Sequence, residues 1–289
     1  MHADVNGTRL WFDVDGPVLV PDGTEMRQRP TVVLVHGGPG GFDHSYLKPD
    51  FARLAAHAQV VYLDLRGHGR SAWGDAADWS FEACADDVRA FCDTVGIDRP
   101  IVFGHSMGGP IVLLYGARHP GHAAGLVVHG GFARWDTPRM VEGFRRVAGD
   151  EIAELARRDY SGDDDVTDEE SARVYSAFGL VPDEEREAGT PKNLELNAHG
   201  GKLMLNLDIV DQLSRLDSPT LVCVGELDPV TPVAASEEIV RALPEGIAQL
   251  EVIPGAGHFT WLEAPDRFWS TIIEFIHRAT PSHVAVRAR

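Results

Sequence analysis

A serine at position 106 lies at the centre of the run IVFGHSMGG at 101–109. The apolar residues before it predict a buried strand and residues 108–118 predict an apolar-faced helix, so the serine occupies a sharp strand-to-helix turn. Glycines at 104 and 108 allow neighbouring chain segments to approach such a strained turn. Although small residues also cluster in turns that do no chemistry, the flanking strand and helix favour an exposed, nucleophilic Ser106 hydroxyl.

A nucleophilic serine needs a base to take its proton and a carboxylate to orient that base. Asp228 follows the apolar run at 220–225, where the end of a strand would bring it beside the serine. Glu226 is its rival, two residues earlier in the chain. His258 lies in the glycine-rich turn PGAGHF, after the last apolar strand pattern, and we predict that it is the base.

Backbone amides that could stabilise an oxyanion occur at two turns. The amide of Met107 begins the helix after the serine, where it points toward negative charge that develops there. A second glycine-rich turn, HGGPGG at 36–41, follows the buried strand pattern at 31–35. No lysine follows this turn, so a phosphate-binding role has little support. We assign the second oxyanion amide to Gly38, with Gly37 as the alternative, and expect His36 to brace the loop.

Metal and redox chemistry find little support in the sequence. None of the 13 histidines pairs with another histidine at H-x-x-x-H spacing, so we predict neither a metal nor a cofactor. The 3 cysteines form no C-x-x-C pair and leave an odd count, which argues against a disulfide framework and favours a reducing, cytoplasmic location. The first residues lack a signal-peptide pattern, and no run approaches the about 20 apolar residues that cross a bilayer.

Strand patterns at 9–14, 31–35, 59–63, 100–103, 126–129, 220–225 and 248–253 alternate with helical patterns, which predicts an α/β protein with a mostly parallel sheet flanked by helices. We interpret 16–30 as a loop. The alternation stops after 131, and 132–206 is acidic, helical in pattern and punctuated by glycine and proline. We therefore predict a core formed by 1–131 and 207–280, an inserted helical cap at 132–206, and a loose tail at 281–289.

The predicted cap carries apolar side chains that could cover the substrate and exclude water from the oxyanion site. The candidates for substrate binding are Phe144, Tyr175, Phe178 and Leu203. The alternative for each of them is that the side chain only packs the interior of the cap.

Composition narrows the class of partner. With 289 residues and 44% hydrophobic residues the chain can bury a sizeable core. A formal net charge of -18 argues against nucleic acid or an anionic membrane as a partner. The expected partner is a small-molecule acyl substrate, and the sequence does not indicate the oligomeric state.

Five of these motifs together resemble the α/β-hydrolase superfamily, over about residues 8–279. They are VHGGPGG at 35–41, DLRGHGRS at 64–71, GHSMGG at 104–109, GELD at 225–228 and GH at 257–258. The HGGPGG loop is similar to that of proline iminopeptidases, whereas the GHSMGG turn resembles those of esterases and lactonases. The resemblance implies Ser106, Asp228 and His258 as a catalytic triad beneath a helical cap.

Three functions remain open from the sequence. The first is a carboxylic ester or lactone hydrolase that forms an acyl-enzyme. The second is a proline-iminopeptidase-like aminopeptidase, in which cap acids such as Glu142, Glu151 or Glu154 would bind the substrate amine. The third is a non-catalytic receptor with the same fold, which the complete set of three catalytic residues disfavours.

Overall fold

The computed structural model describes residues 1–161, 166–181 and 192–280. Its main feature is an eight-stranded sheet. The eight strands are β1 (His2–Val5), β2 (Thr8–Asp15), β5 (Thr31–Val35), β6 (Gln59–Leu63), β7 (Ile101–His105), β8 (Gly125–His129), β9 (Thr220–Gly225) and β10 (Ala248–Ile253). Their order in the sheet is β1-β2-β6-β5-β7-β8-β9-β10. The six strands β6-β5-β7-β8-β9-β10 pair in parallel with their neighbours. At one edge of the sheet, β2 pairs antiparallel with β6, and β1 pairs antiparallel with β2.

The central strands are covered on both faces, which explains their unbroken apolar sequences. Every residue of β5, β7 and β8 is buried, as expected for parallel strands with helices on each side. Because these strands are parallel, their carboxyl ends share one edge of the sheet. The turns that carry Gly38, Ser106 and Asp228 leave from this edge.

Helices flank the sheet as the sequence predicts. They are α1 (Lys48–Phe51), α2 (Phe81–Val95), α3 (Gly108–Arg118), α7 (Val233–Ala242), α8 (Thr260–Glu263) and α9 (Pro265–Ala279). The Ser80 side chain caps α2 by accepting a hydrogen bond from the Ala83 amide, and Gly96 ends this helix with a φ of 74°. Such caps satisfy backbone groups that a helix leaves unpaired at its ends.

The segment between β8 and β9, where we expect the cap, is helical in its described parts. It contains α4 (Thr137–Ser161), which kinks at Gly149, α5 (Asp168–Ser176) and α6 (Leu194–Leu205). An antiparallel bridge between Arg134 and Asp208 joins the two ends of the segment. The division of the chain into a core and a cap remains a prediction.

The interpretation of 16–30 as a loop was wrong, because this stretch contains the hairpin β3 (Leu19–Asp22) and β4 (Glu25–Gln28). None of its residues is fully buried, so the hairpin lacks the alternation of apolar residues that reveals a half-buried strand. The tail predicted at 281–289 lies outside the described residues.

Candidate active site

Ser106 lies on the turn between β7 and α3, and its φ of 54° places it in the left-handed region. A residue with a side chain rarely adopts this conformation, and it does so most often where surrounding contacts hold it for a function. Two backbone hydrogen bonds hold it here. The Ser106 amide donates to the carbonyl of His129 at 2.9 Å, and the Ser106 carbonyl accepts from the amide of Gly109 at 2.8 Å.

The glycines around Ser106 are required by close packing. A Cβ on Gly104 would collide with the carbonyl of Gly108, and a Cβ on Gly108 would lie 2.5 Å from the carbonyl oxygen of Val35. The turn therefore packs directly against the start of α3 and the end of β5. This contact explains why the motif needs glycine at both positions.

Asp228 and His258 form a buried pair beside this turn. His258 Nδ1 lies 2.7 Å from Asp228 Oδ2, and neither residue is more than 2% exposed. Asp228 Oδ1 accepts hydrogen bonds from the amides of Val230 and Thr231, each at 2.9 Å, and Oδ2 also accepts from the Thr231 hydroxyl at 2.9 Å. Because these bonds fix both oxygens, the carboxylate is held in one orientation toward His258.

Glu226, the rival acid, lies elsewhere. Its side chain is exposed and accepts a hydrogen bond from the amide of Gly255 at 2.9 Å. The structure therefore brings Asp228, and not Glu226, into contact with His258.

The main chain of His258 is hydrogen-bonded on both sides. Its carbonyl lies 3.3 Å from Nε2 of His105, the residue before Ser106, and its amide donates to the carbonyl of Phe178 at 2.9 Å. Within the described residues, the Ser106 hydroxyl makes no hydrogen bond, and so none to Nε2 of His258. Catalytic hydrogen bonds often tighten only when substrate is bound.

The two residues whose amides are assigned to the oxyanion site, Gly38 and Met107, lie against each other. A Cβ on Gly38 would lie 3.0 Å from Cε of Met107, and a Cβ on Gly37 would lie 3.3 Å from Cβ of Ser106. The Gly37 amide donates to the Tyr46 hydroxyl at 2.8 Å. Among the described residues, no group accepts a hydrogen bond from the amides of Gly38 and Met107. The geometry therefore favours Gly38 over Gly37 as the amide that can bind an oxyanion.

Two neutral histidines brace the Gly38 loop. His36 Nδ1 donates to the carbonyl of Gly37 at 2.6 Å and its Nε2 accepts from the Leu65 amide at 3.1 Å. His68 Nε2 accepts from the Gly40 amide at 2.9 Å. Burial lowers the pKa of His36, and burial together with the nearby His36 lowers the pKa of His68 to about 3. Each ring can therefore accept an amide hydrogen bond at neutral pH, and His36 acts as a brace, as predicted.

The described residues hold one group with metal-ligand geometry, formed by Asp43, His44 and Asp64, whose ligand atoms lie within 4.8 Å of one another. Hydrogen bonds already use the Asp64 and His44 atoms. Asp64 Oδ1 accepts from the His44 amide at 3.0 Å and lies 2.7 Å from His44 Nδ1, and Asp64 Oδ2 accepts from the Arg70 amide at 3.0 Å. Burial opposes the charge on Asp64, yet the bonds from His44 leave its pKa below the usual value. We interpret the group as a brace for the turn at 64–71.

The four candidate substrate-binding residues differ in their position. The Phe178 ring contacts the His258 ring edge-on, with centroids 5.4 Å apart. Tyr175 contacts Phe178 at 5.0 Å. Phe144 is fully buried behind Phe178, with centroids 6.0 Å apart. Leu203 is half-buried and packs against the hydrophobic core. The contacts bring Phe178 to the candidate base, and both Tyr175 and Phe144 contact Phe178.

The acids considered for amine binding lie on the surface. Glu142, Glu151 and Glu154 have side chains that are 67%, 74% and 58% exposed. Each forms an ion pair with an arginine, respectively Arg145, Arg173 and Arg157. They do not form a carboxylate cluster at Ser106.

Two contributors to the site went unrecognised in the sequence, Tyr46 and Thr231. Tyr46 binds Gly37 and also lies 2.8 Å from His105 Nδ1, a long-range contact without a local sequence signal. Thr231 follows Asp228 by three residues, a spacing at which side chains and amides commonly bond within a turn. That spacing was the signal that could have identified Thr231.

Comparison with known proteins places the chain among hydrolases. Residues 30–265 match the family described as the alpha/beta hydrolase fold. A monoacylglycerol lipase of Mycolicibacterium smegmatis is 30% identical over 89% of this chain and 88% of its own length. A proline iminopeptidase of Thermoplasma volcanium is 25% identical over 87% of this chain and 90% of its own length.

A solved structure supports the same placement. The crystal structure of the enol-lactonase from Burkholderia xenovorans LB400 superposes with a TM-score of 0.68, at 25% identity, over 96% of this chain and 99% of its own. In the described part of the chain, no helix has the length and apolarity needed to span a membrane. The matched family, the sheet order and the turn at Ser106 agree, and the chain belongs to the alpha/beta hydrolase fold family.

Proposed function

We propose that this protein is a serine hydrolase that cleaves a carboxylic ester or lactone through an acyl-enzyme intermediate. The observation that carries the proposal is the buried 2.7 Å contact between Asp228 and His258 beside the left-handed turn at Ser106. A carboxylate that orients a histidine near a serine is the arrangement that activates a hydroxyl for acyl transfer.

In the acylation step, Ser106 Oγ attacks the acyl carbon while its proton passes to Nε2 of His258. The Nδ1–H of His258 donates to Asp228, which fixes the tautomer that leaves Nε2 able to accept the proton. The amides of Gly38 and Met107 stabilise the negative oxygen of the tetrahedral intermediate. The intermediate then collapses, the bond to the leaving oxygen breaks, and His258 gives its proton to that oxygen.

Deacylation reverses these roles with water as the nucleophile. His258 takes a proton from water, the hydroxyl attacks the acyl carbon, and the bond to Ser106 breaks. The proton on His258 returns to Ser106 Oγ, and the carboxylic acid is released. With a lactone substrate, the alcohol and the acid leave as one hydroxy acid.

Two observations favour an ester or lactone over an aminoacyl amide. The wall beside His258 is aromatic, formed by Phe178 with Tyr175 and Phe144 behind it. A free amine needs a carboxylate partner when it leaves water, and the acids considered for that role are exposed and paired with arginines. The lipase and lactonase among the similar proteins agree with this substrate class.

A proline-iminopeptidase-like activity is the second candidate. The HGGPGG loop and the similarity to a proline iminopeptidase favour it. The catalytic steps would be those described above, with an amine as the leaving group.

A panel of substrates tests both candidates. We expect p-nitrophenyl esters and lactones to be hydrolysed and proline-β-naphthylamide to remain intact, with Ser106→Ala as the inactive control. Preferential cleavage of the naphthylamide would favour the iminopeptidase. No turnover of any substrate, with no labelling of Ser106 by a fluorophosphonate, would contradict the proposed hydrolase.

A further inference from the structure

The loop that carries His258 packs against a segment that lies between β8 and β9 in the sequence. This segment, residues 178–180, follows α5 and lies against residues 257–258. The Phe178 carbonyl accepts the 2.9 Å hydrogen bond from the His258 amide. The two segments are far apart in the sequence, so the bond joins the region of the predicted cap directly to the candidate base.

Glu263, at the end of α8, links the 178–180 segment to the His258 loop through two more hydrogen bonds. We call the hydrogen-bonded group of Phe178, Leu180, Gly257, His258 and Glu263 the clasp. Oε1 of Glu263 accepts a hydrogen bond from the Leu180 amide at 3.1 Å, and its Oε2 accepts from the amide of Gly257, the residue before His258. One carboxylate thus spans both segments, with one oxygen for each amide. The Glu263 side chain touches neither Ser106 nor Asp228 through any hydrogen bond in the described structure.

The fit between the segments is tight. A Cβ on Gly257 would collide with the Phe178 carbonyl, and a Cβ on Gly179 would lie 2.5 Å from Oε1 of Glu263. Gly179 also has a φ of 99°, which favours glycine. The Phe178 ring rests edge-on against the His258 ring. Moving the 178–180 segment would therefore remove contacts to both the main chain and the ring of His258.

We propose that Glu263 is a positioning residue that couples the 178–180 segment to His258. The imidazole is then held in its catalytic orientation only while this segment packs against residues 257–258. The proposal rests on the proposed serine hydrolase function and adds a role for a residue outside the triad. Displacing a catalytic group by about 1 Å can cost about 100-fold in rate. The expected effect of breaking the clasp is thus a fall in kcat, with little change in KM for a small ester.

Glu263→Gln is the first test, because glutamine offers one oxygen acceptor where two amides need one each. The matched control is Glu226→Gln, since Glu226 also accepts an amide hydrogen bond from this loop, at Gly255, without contacting the 178–180 segment. We expect kcat for p-nitrophenyl acetate to fall about 10- to 100-fold in Glu263→Gln and to stay within about twofold of wild type in Glu226→Gln.

Gly179→Ala tests the same contacts from the other side, because its new methyl group would press on the Glu263 carboxylate without replacing Glu263 or any residue of the His258 loop. Its control is Gly149→Ala, because Gly149 has a similar φ of 84° but nothing lies within 4 Å of the position that its new methyl group would take. We expect Gly179→Ala to lower kcat as Glu263→Gln does, and the double variant to lose little more than either single one. Gly149→Ala should keep its kcat even where its melting temperature falls.

A proton NMR signal reports the position of His258 independently of turnover. The Nδ1 proton between His258 and Asp228 should give a far-downfield resonance in the wild type that shifts or broadens in Glu263→Gln and Gly179→Ala. An unchanged resonance with kcat within about twofold of wild type in both would overturn the coupling, as would equal losses in Gly149→Ala. A wild type without esterase activity or fluorophosphonate labelling would instead refute the proposed function itself.

Discussion

Replacing Asp228 by asparagine removes a charge from the candidate site without changing the shape of the side chain. In the structure, Oδ1 of Asp228 accepts from two backbone amides, while Oδ2 accepts from the Thr231 hydroxyl and faces His258 Nδ1. The asparagine oxygen should replace Oδ1, because placing the amide nitrogen there would oppose donors to donors in a buried site. The nitrogen then replaces Oδ2.

This orientation determines the size of the effect. An asparagine NH₂ facing His258 would donate to Nδ1, so the ring would carry its proton on Nε2 and could not accept one from Ser106. The loss of the correct tautomer costs about 10⁴-fold in rate in a serine triad, which corresponds to about 5 kcal/mol in activation free energy. We expect a loss of this size in Asp228→Asn, with the fold unchanged.

The assay is kcat for a p-nitrophenyl ester, measured beside a circular dichroism spectrum that confirms folding. Glu226→Gln is the matched control, since it neutralises the exposed rival acid and should retain nearly full activity. Raising the pH should not restore Asp228→Asn to the wild-type rate, because the wrong tautomer persists in the neutral ring. Near-wild-type kcat in Asp228→Asn, with collapse in Glu226→Gln, would refute the assignment of the acid.

Three further outcomes are expected. Ser106→Ala should lower kcat by about 10⁴-fold or more and abolish fluorophosphonate labelling, and retention of more than a tenth of the activity would exclude Ser106 as the nucleophile. Tyr175→Ala should change the ranking of acyl chain lengths more than it changes labelling of Ser106; an equal fall in all of them would indicate structural support instead. Burial lowers the pKa of His68 to about 3 in the folded protein, whereas an unfolded histidine has a pKa of about 6.5. As the pH falls below about 6.5, the unfolded state therefore takes up a proton that the folded state does not. The free energy of unfolding should then fall by about 1.4 kcal/mol per pH unit from this group alone. Urea unfolding at about pH 7.5, 6.5 and 5.5 measures this slope, and constant stability would contradict it.

The parallel strands could be predicted from the sequence because burial on both faces leaves a continuous apolar run. Because the carboxyl ends of parallel strands share one edge of a sheet, the same pattern predicts that Ser106 and Asp228 lie at that edge. The β3–β4 hairpin could not be found in this way, because its residues are solvent-exposed to varying degrees and carry no apolar face. Strand signals depend on burial more than on backbone conformation.

The contacts that hold the site were less accessible to sequence reasoning. The role of His36 as a brace was predicted from its place in the glycine-rich turn. The contacts of Tyr46 with His105 and of Glu263 with Leu180 join residues separated by 59 and 83 positions. Nothing in the local sequence around Tyr46 or Glu263 specifies these partners. The direction of a side chain was equally hidden from the sequence. Glu142 lies in the predicted cap, but its side chain is 67% exposed, which argues against the amine-binding role considered for it.

The three candidate catalytic residues differ in what holds them, and this difference bears on substrate choice. Ser106 is fixed by backbone hydrogen bonds to the ends of neighbouring elements, and Asp228 by amides of its own turn. Of the three, His258 has the main-chain bond to the helical segment between β8 and β9, through Phe178. A substrate that displaces this segment would thus move the base while leaving the nucleophile and the acid in place. Under the coupling proposed above, the same segment would influence both which acyl group fits and how fast that group reacts.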